Sequence, residues 1–197
     1  MAKTSKFMFL EENFDEIHSQ VTQKTFLSRE FLTWLWFFAE QHEGRFELEL
    51  NAGTRKKAQL WLDDRIVLAA KTGRSHEHII KGGVPSTSDE AGICLKSGKA
   101  VKELKIALEV DGLGLFSATL SGDEAIPKGL RLPEPDEQSD QTVLEQRIAS
   151  LAIFNQAIDQ LFAKFMDDRT SNIWDTNHLG AIKSWIQSRS HDTTTVH

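Results

Sequence analysis

Few residues in this 197-residue chain have the type and spacing that chemistry requires. "HEH" at 76–78 would set His76 and His78 on one face of a strand, two imidazoles facing the same way. A structural or catalytic metal needs a third or fourth ligand, and the other five histidines offer no motif spacing. The acidic pairs Asp63-Asp64 and Asp167-Asp168 read as turn and helix-end charges rather than carboxylates for a divalent metal. Cys94 is the single cysteine, so no intramolecular disulfide forms, and it reads as a small buried hydrophobe. A nucleophilic thiol would need a basic or helix-N-terminal setting. "KGG" (81–83) and "SGK" (97–99) are too short for phosphate loops, "GLG" (112–114) lacks the third glycine of a dinucleotide site, and there is no G-x-S-x-G. The expectation is a non-enzymatic protein with no metal and no cofactor.

A basic pattern survives this search. Lys96, Lys99, Lys102 and Lys105 recur at every third position. They close a block, residues 54–105, that holds 11 Lys/Arg against 6 Asp/Glu and is net +5, while the rest of the chain is net −11. Lys71, Arg74 and Lys81 belong to the same block. A basic segment inside an acidic protein is an electrostatic footprint for a polyanion, or else an evenly solvated surface of mixed sign. Contacts from such lysines would go to phosphate and carry little sequence preference. No helix-turn-helix, zinc finger or aromatic platform accompanies them, and Trp61 reads as core.

The elements that must carry these residues are legible from periodicity. After Ser28 as N-cap, Phe31, Trp34, Leu35 and Phe38 fall at i, i+3, i+4, i+7, with Leu32 and Trp36 on a neighbouring face. A helix apolar over so wide an arc is buried centrally or pressed against a second chain, which makes Trp36 and Phe37 candidates for a dimer interface. Gly44 ends it. "RFELEL" (45–50) alternates as a strand, "NAGTRKK" (51–57) turns, and 58–70, interrupted at Asp63-Asp64, is two strands or a bulged one. A short strand is predicted over 76–83. Thr87-x-x-Glu90 has the form of a capping box for a helix closed by Gly98. Residues 101–121 read as a hairpin turning at "DGLG" (111–114), with Leu104, Ile106, Leu108 and Val110 on one face. Residues 122–141, with three of the four prolines and many acids, read as a linker. Residues 142–169 form one long amphipathic helix carrying Leu144, Ile148, Leu151, Ile158 and Phe165, and 177–189 allow a short helix.

These readings give an α+β fold: antiparallel strands packed against an aromatic-rich helix and a long C-terminal amphipathic helix. Its parts are an α+β core over 1–121, an acidic proline-containing linker over 122–141, and a helical part over 142–190 that packs back on the core. Hydrophobic residues make up 40% and charged residues 26%, ordinary values for a globular chain. No apolar run approaches the roughly 20 residues needed to span a bilayer, and the N-terminus lacks a signal-peptide run, so the expectation is no membrane and a cytoplasmic location.

The order of elements resembles the C-terminal half of the RdgC family of recombination-associated DNA-binding proteins. The resemblance runs over about residues 29–166, through "REFLTWLW" (29–36), "AQLWLDDRIVLAAKTG" (58–73), "STSDEAGICLKSGKAVKELKIAL" (86–108), "GLFSATL" (114–120), "LRLP" (130–133) and the helix 145–166. The long N-terminal half of that family has no counterpart here. The resemblance implies sequence-independent binding of duplex DNA in a recombination or nucleoid context, by a homodimer closing a ring around the duplex. Only Lys99, within "SGK", transfers from the family pattern; Lys96, Lys102, Lys105, Lys71, Arg74 and Lys81 join it from the charge block. The alternative from the residues themselves is a protein–protein adaptor with no nucleic-acid role. Clustered lysines would favour DNA and scattered ones the adaptor.

Overall fold

A computed structural model describes residues 27–50, 53–70, 77–124 and 126–189. Asn51, Lys71, Arg74, His76 and the tail 190–197 lie outside the described residues. Helix α1 (Arg29–Gln41) begins where Ser28 Oγ accepts the Phe31 N–H at 3.0 Å, the N-cap that the sequence predicts. Six of its thirteen residues are buried, so its wide apolar arc is core. Its C-terminal turn needs Gly44, which has φ +61°; a Cβ there would stand 1.7 Å from the Leu60 carbonyl oxygen.

Six antiparallel strands follow: β1 (Arg45–Glu49), β2 (Arg55–Ala69), β3 (His78–Lys81), β4 (Ala100–Val110), β5 (Gly114–Ser121) and β6 (Lys128–Arg131). The sheet order is β1-β2-β4-β5-β6, with β3 also on β2. β1 pairs with residues 55–59 of β2 and β3 with residues 65–68, while β4 runs along β2 from Ala58 to Ala69. Arg55, Lys56 and Lys57, expected in a turn, are strand residues paired with β1. The Asp63-Asp64 interruption is a bulge in one continuous strand: Leu62 faces Ile106 and Ile66 faces Leu104, so three β2 residues oppose Lys105 alone. The bulge keeps Leu60, Leu62, Ile66 and Leu68 on the face that β4 fills with Leu104, Ile106 and Leu108.

Helix α2 (Asp89–Lys96) starts one residue later than the capping-box pattern implies. Thr87 lies in a 3-10 turn, Pro85–Thr87, and Ser88 is the N-cap with no side-chain bond. Its end follows the prediction: Gly98 has φ +84°, and the Lys99 N–H returns to the Cys94 carbonyl at 3.1 Å. The linker 122–141 is not all loop, because β6 lies within it and pairs with β5.

Helix α3 (Val143–Thr170) opens with a full capping box: Thr142 Oγ1 accepts the Glu145 N–H and the Glu145 carboxylate accepts the Thr142 N–H. After a π-helical turn (Trp174–His178) comes helix α4 (Leu179–Ser188), the last helix among the described residues. The helical part and the strands share one core. Phe154 meets Phe116 of β5, Phe165 meets Phe31 of α1, and Trp185 of α4 meets Trp36 edge-on at 5.4 Å. Gly92 lets α2 approach the end of α4; a Cβ there would lie 3.1 Å from the Arg189 carbonyl oxygen.

Candidate functional site

The four regularly spaced lysines do not form one cationic surface. Lys96 ends α2, and Lys99 follows its glycine turn, half-buried against α1 and α4. Lys102 and Lys105 are on β4, where the carboxylates nearest them are contributed by other segments. Lys102 Nζ donates to Glu77 at 2.5 Å. Lys105 Nζ sits in the β2 bulge, 2.9 Å from Asp63 and 2.8 Å from Asp64. The bond from Lys105 pulls the Asp64 carboxyl below its ordinary range, and the bonds to Asp64 and Asp63 raise the Lys105 ammonium above its own. The "DD" pair is therefore a lysine partner built by a bulge. Lys81 is exposed at the end of β3, and Lys71 and Arg74 lie outside the described residues.

The same neutralisation runs across the solvent side of the sheet. Arg65 pairs with Glu103 at 2.7 Å, and Lys128 reaches both Glu124 (2.9 Å) and Glu103 (3.4 Å). Trp61, expected in the core, opposes Ala107 on this side and is 37% exposed, because its neighbours Leu60 and Leu62 take the inward direction. His78 Nδ1 lies 3.6 Å from Glu90, and among the described residues no group of three His, Cys, Asp or Glu side chains could hold a metal ion. Burial raises the Cys94 thiol above its ordinary value, so the thiol is held protonated.

Trp36 has no surface to offer a second subunit. It is fully buried under α4: its Nε1 donates to Glu40 Oε1 at 2.7 Å, Trp185 Nε1 donates to Glu40 Oε2 at 2.8 Å, and the Arg189 guanidinium lies 4.5 Å over the Trp36 ring and pairs with Glu40. Phe37 packs edge-on against Trp185 at 5.5 Å. Trp36 thus belongs to an internal contact between α1 and α4, made by residues about 145 positions apart, with Phe37 half-buried beside it.

An uncovered surface lies elsewhere, on the first turns of α3. Val143, Leu144, Ile148 and Leu151 are 58%, 69%, 59% and 42% exposed, and Leu144, Ile148 and Leu151 fall at i, i+4, i+7 on one side of the helix. The adjoining linker covers a different side: Gln146 Nε2 donates to the Asp136 and Gln141 carbonyls, and its Oε1 accepts the Asp136 N–H. Periodicity marks these residues as apolar positions of a helix but does not say that none of the described residues covers them. No helix among the described residues is long and apolar enough to cross a membrane.

No family model, curated protein or solved structure matches the chain. The resemblance to RdgC thus rests on the sequence patterns alone.

Proposed function

We propose that the chain is a non-enzymatic protein-binding module that engages an amphipathic helix of its partner through the first turns of α3. The observation that carries this reading is the contiguous exposed set Val143, Leu144, Ile148 and Leu151. Large apolar side chains scattered singly over a surface need no explanation, but four on three successive turns of one helix mark an interaction site. Their 4-then-3 spacing suits the knobs of a second helix. Duplex DNA, which the resemblance implies, is the second reading. It is supported by the basic block and by Lys99, and opposed by the carboxylates that occupy Lys102 and Lys105.

One experiment separates the two. Full-length chain and a variant carrying Leu144→Ser, Ile148→Ser and Leu151→Ser are used to capture proteins from a lysate, and both are titrated with unrelated duplexes at two salt concentrations. A protein partner retained by the parent and lost by the variant, with no duplex shifted at low salt, fits the adaptor. A duplex shift that weakens by about 0.9 log units per decade of salt for each phosphate neutralised, and that the triple variant retains, overturns it in favour of DNA.

A further inference from the structure

A cavity of about 350 Å³ opens between α1, α2, the π-helical turn and α4. Its walls are apolar: Trp34 from α1, Leu95 from α2, Trp174 from the π turn, and Ile182 and Ile186 from α4. Lys99 and Lys183 are the cations of the lining, with Glu30 and Thr33 as its other polar side chains. Lys183 is exposed and Lys99 half-buried, and neither is in an ion pair or side-chain hydrogen bond among the described residues. This sets Lys99 apart from Lys102 and Lys105, whose carboxylates are supplied by the fold. The one acid of the lining, Glu30, is already held by Arg169 at 3.1 Å. Among the described residues the cavity therefore presents two positive charges with no acid partner above an apolar floor. That floor includes Trp174, the first residue of a π-helical turn, a rare geometry that recurs at functional sites.

We infer that this cavity binds a small amphiphilic carboxylate: an apolar body, one ring or a short alkyl chain, carrying a single carboxylate that Lys99 and Lys183 receive. The volume lies at the lower end of the ligand-pocket range, which limits the body to a small one. Apolar walls with a few polar groups at one end are the usual arrangement for such a ligand. The charge complementarity fixes the sign of the head group. Lysine supplies compact, mobile point charges that suit a single carboxylate, and among the described residues the lining offers no array of backbone N–H groups of the kind that cradles phosphate. The inference is independent of the α3 surface and of any protein partner.

The test is calorimetric titration of the full chain with octanoate, with octanol and octylammonium as neutral and cationic counterparts of the same body. Tryptophan fluorescence is followed in parallel, because Trp34 and Trp174 line the cavity. The expected result is saturable octanoate binding at least about tenfold tighter than octanol, and no saturable binding of octylammonium. In Lys99→Met/Lys183→Met, octanoate should fall to the affinity of octanol while octanol is unchanged. Equal affinity for octanoate and octanol, absence of saturable octanoate binding, or octanoate affinity unchanged in the double variant each overturns the proposal. If the double variant melts below the parent, Lys183→Met alone, on the exposed side of α4, serves in its place.

Discussion

The two halves of α3 carry the same apolar pattern and meet different fates. From residue 154 onward Phe154, Ile158, Leu161 and Phe165 are buried against the sheet and α1. In the first half Leu144, Ile148 and Leu151 continue the three-and-four spacing into solvent. A helix of 28 residues is about 42 Å long, and the strands and α1 cover only part of it. Hydrophobic periodicity thus specifies a face that gains by being covered; the rest of the fold decides where the cover stops. Among the described residues, the excess face is the part left uncovered.

The most severe way to probe this contrast is truncation on each side of the boundary. Phe154→Ala removes a fully buried ring that contacts Phe116 and should destabilise the domain by about 3–5 kcal/mol in chemical denaturation. Ile148→Ala, a turn and a half earlier, should shift the same midpoint by no more than about 0.5 kcal/mol. A loss at Ile148 comparable to that at Phe154 would mean that the first half is covered after all, and the protein-binding reading would lose its surface.

An intermediate effect is expected where α4 joins the core. Glu40 accepts bonds from Trp36, Trp185 and Arg189 with one carboxylate. Glu40→Ala leaves two indole N–H groups and a guanidinium without that acceptor and should cost about 2–3 kcal/mol. Because α4 lies over Trp36 and Phe37, the same variant tests the internal role given to those rings. Should it form a stable dimer by sedimentation, a second copy has taken the place of α4.

What was legible in the sequence divides along the same line. The inward faces of β4 and α1 could be read from alternation and helical spacing, because burial there is set by neighbours only a strand or a turn away. Ser28, Gly44 and Gly98 were readable for the same local reason. The lysine pairings were not: Lys105 meets Asp64 across 41 positions and Lys102 meets Glu77 across 25, and the interruption at Asp63-Asp64, legible as a possible bulge, does not say which lysine fills it. The cover over Trp36 comes from Arg189 and Trp185 near the other end of the chain. The Thr87–Glu90 capping box failed because Pro85 favours a 3-10 turn in which Thr87 Oγ1 donates to the Val84 carbonyl. Lys99 was read as one of a row of four lysines, whereas the structure separates it from Lys102 and Lys105, which meet carboxylates.

The smallest expected effect concerns how the starts of a covered and an uncovered helix are held. The start of α1 is tied to the sheet: Arg29 forms two bonds to Asp123, at 2.8 and 2.7 Å, and a third to the Ala70 carbonyl at 2.9 Å. The start of α3 is held by its own Thr142–Glu145 box. Both acids sit below their ordinary pKa, Asp123 because of the Arg29 bond and Glu145 because of the Thr142 bonds. A carboxyl whose folded pKa is depressed contributes stability that is fully present above its unfolded value, about 3.9 for Asp, and is lost as pH falls through the folded value. Arg29 stays charged throughout and adds no window of its own. Asp123→Asn should therefore be less stable than the parent by about 0.2–1 kcal/mol at neutral pH, the range of a partly exposed ion pair. The difference should shrink as the pH is lowered below about 4. Glu145→Gln should leave global stability unchanged at any pH and raise amide exchange only in the first turn of α3, since the box is local to that turn and the bonds Gln146 makes beside it go to the adjoining linker rather than to the core. A fall in the global denaturation midpoint of Glu145→Gln equal to that of Asp123→Asn would show that the first turns of α3 are coupled to the core, against the division of this helix into a covered and an uncovered half.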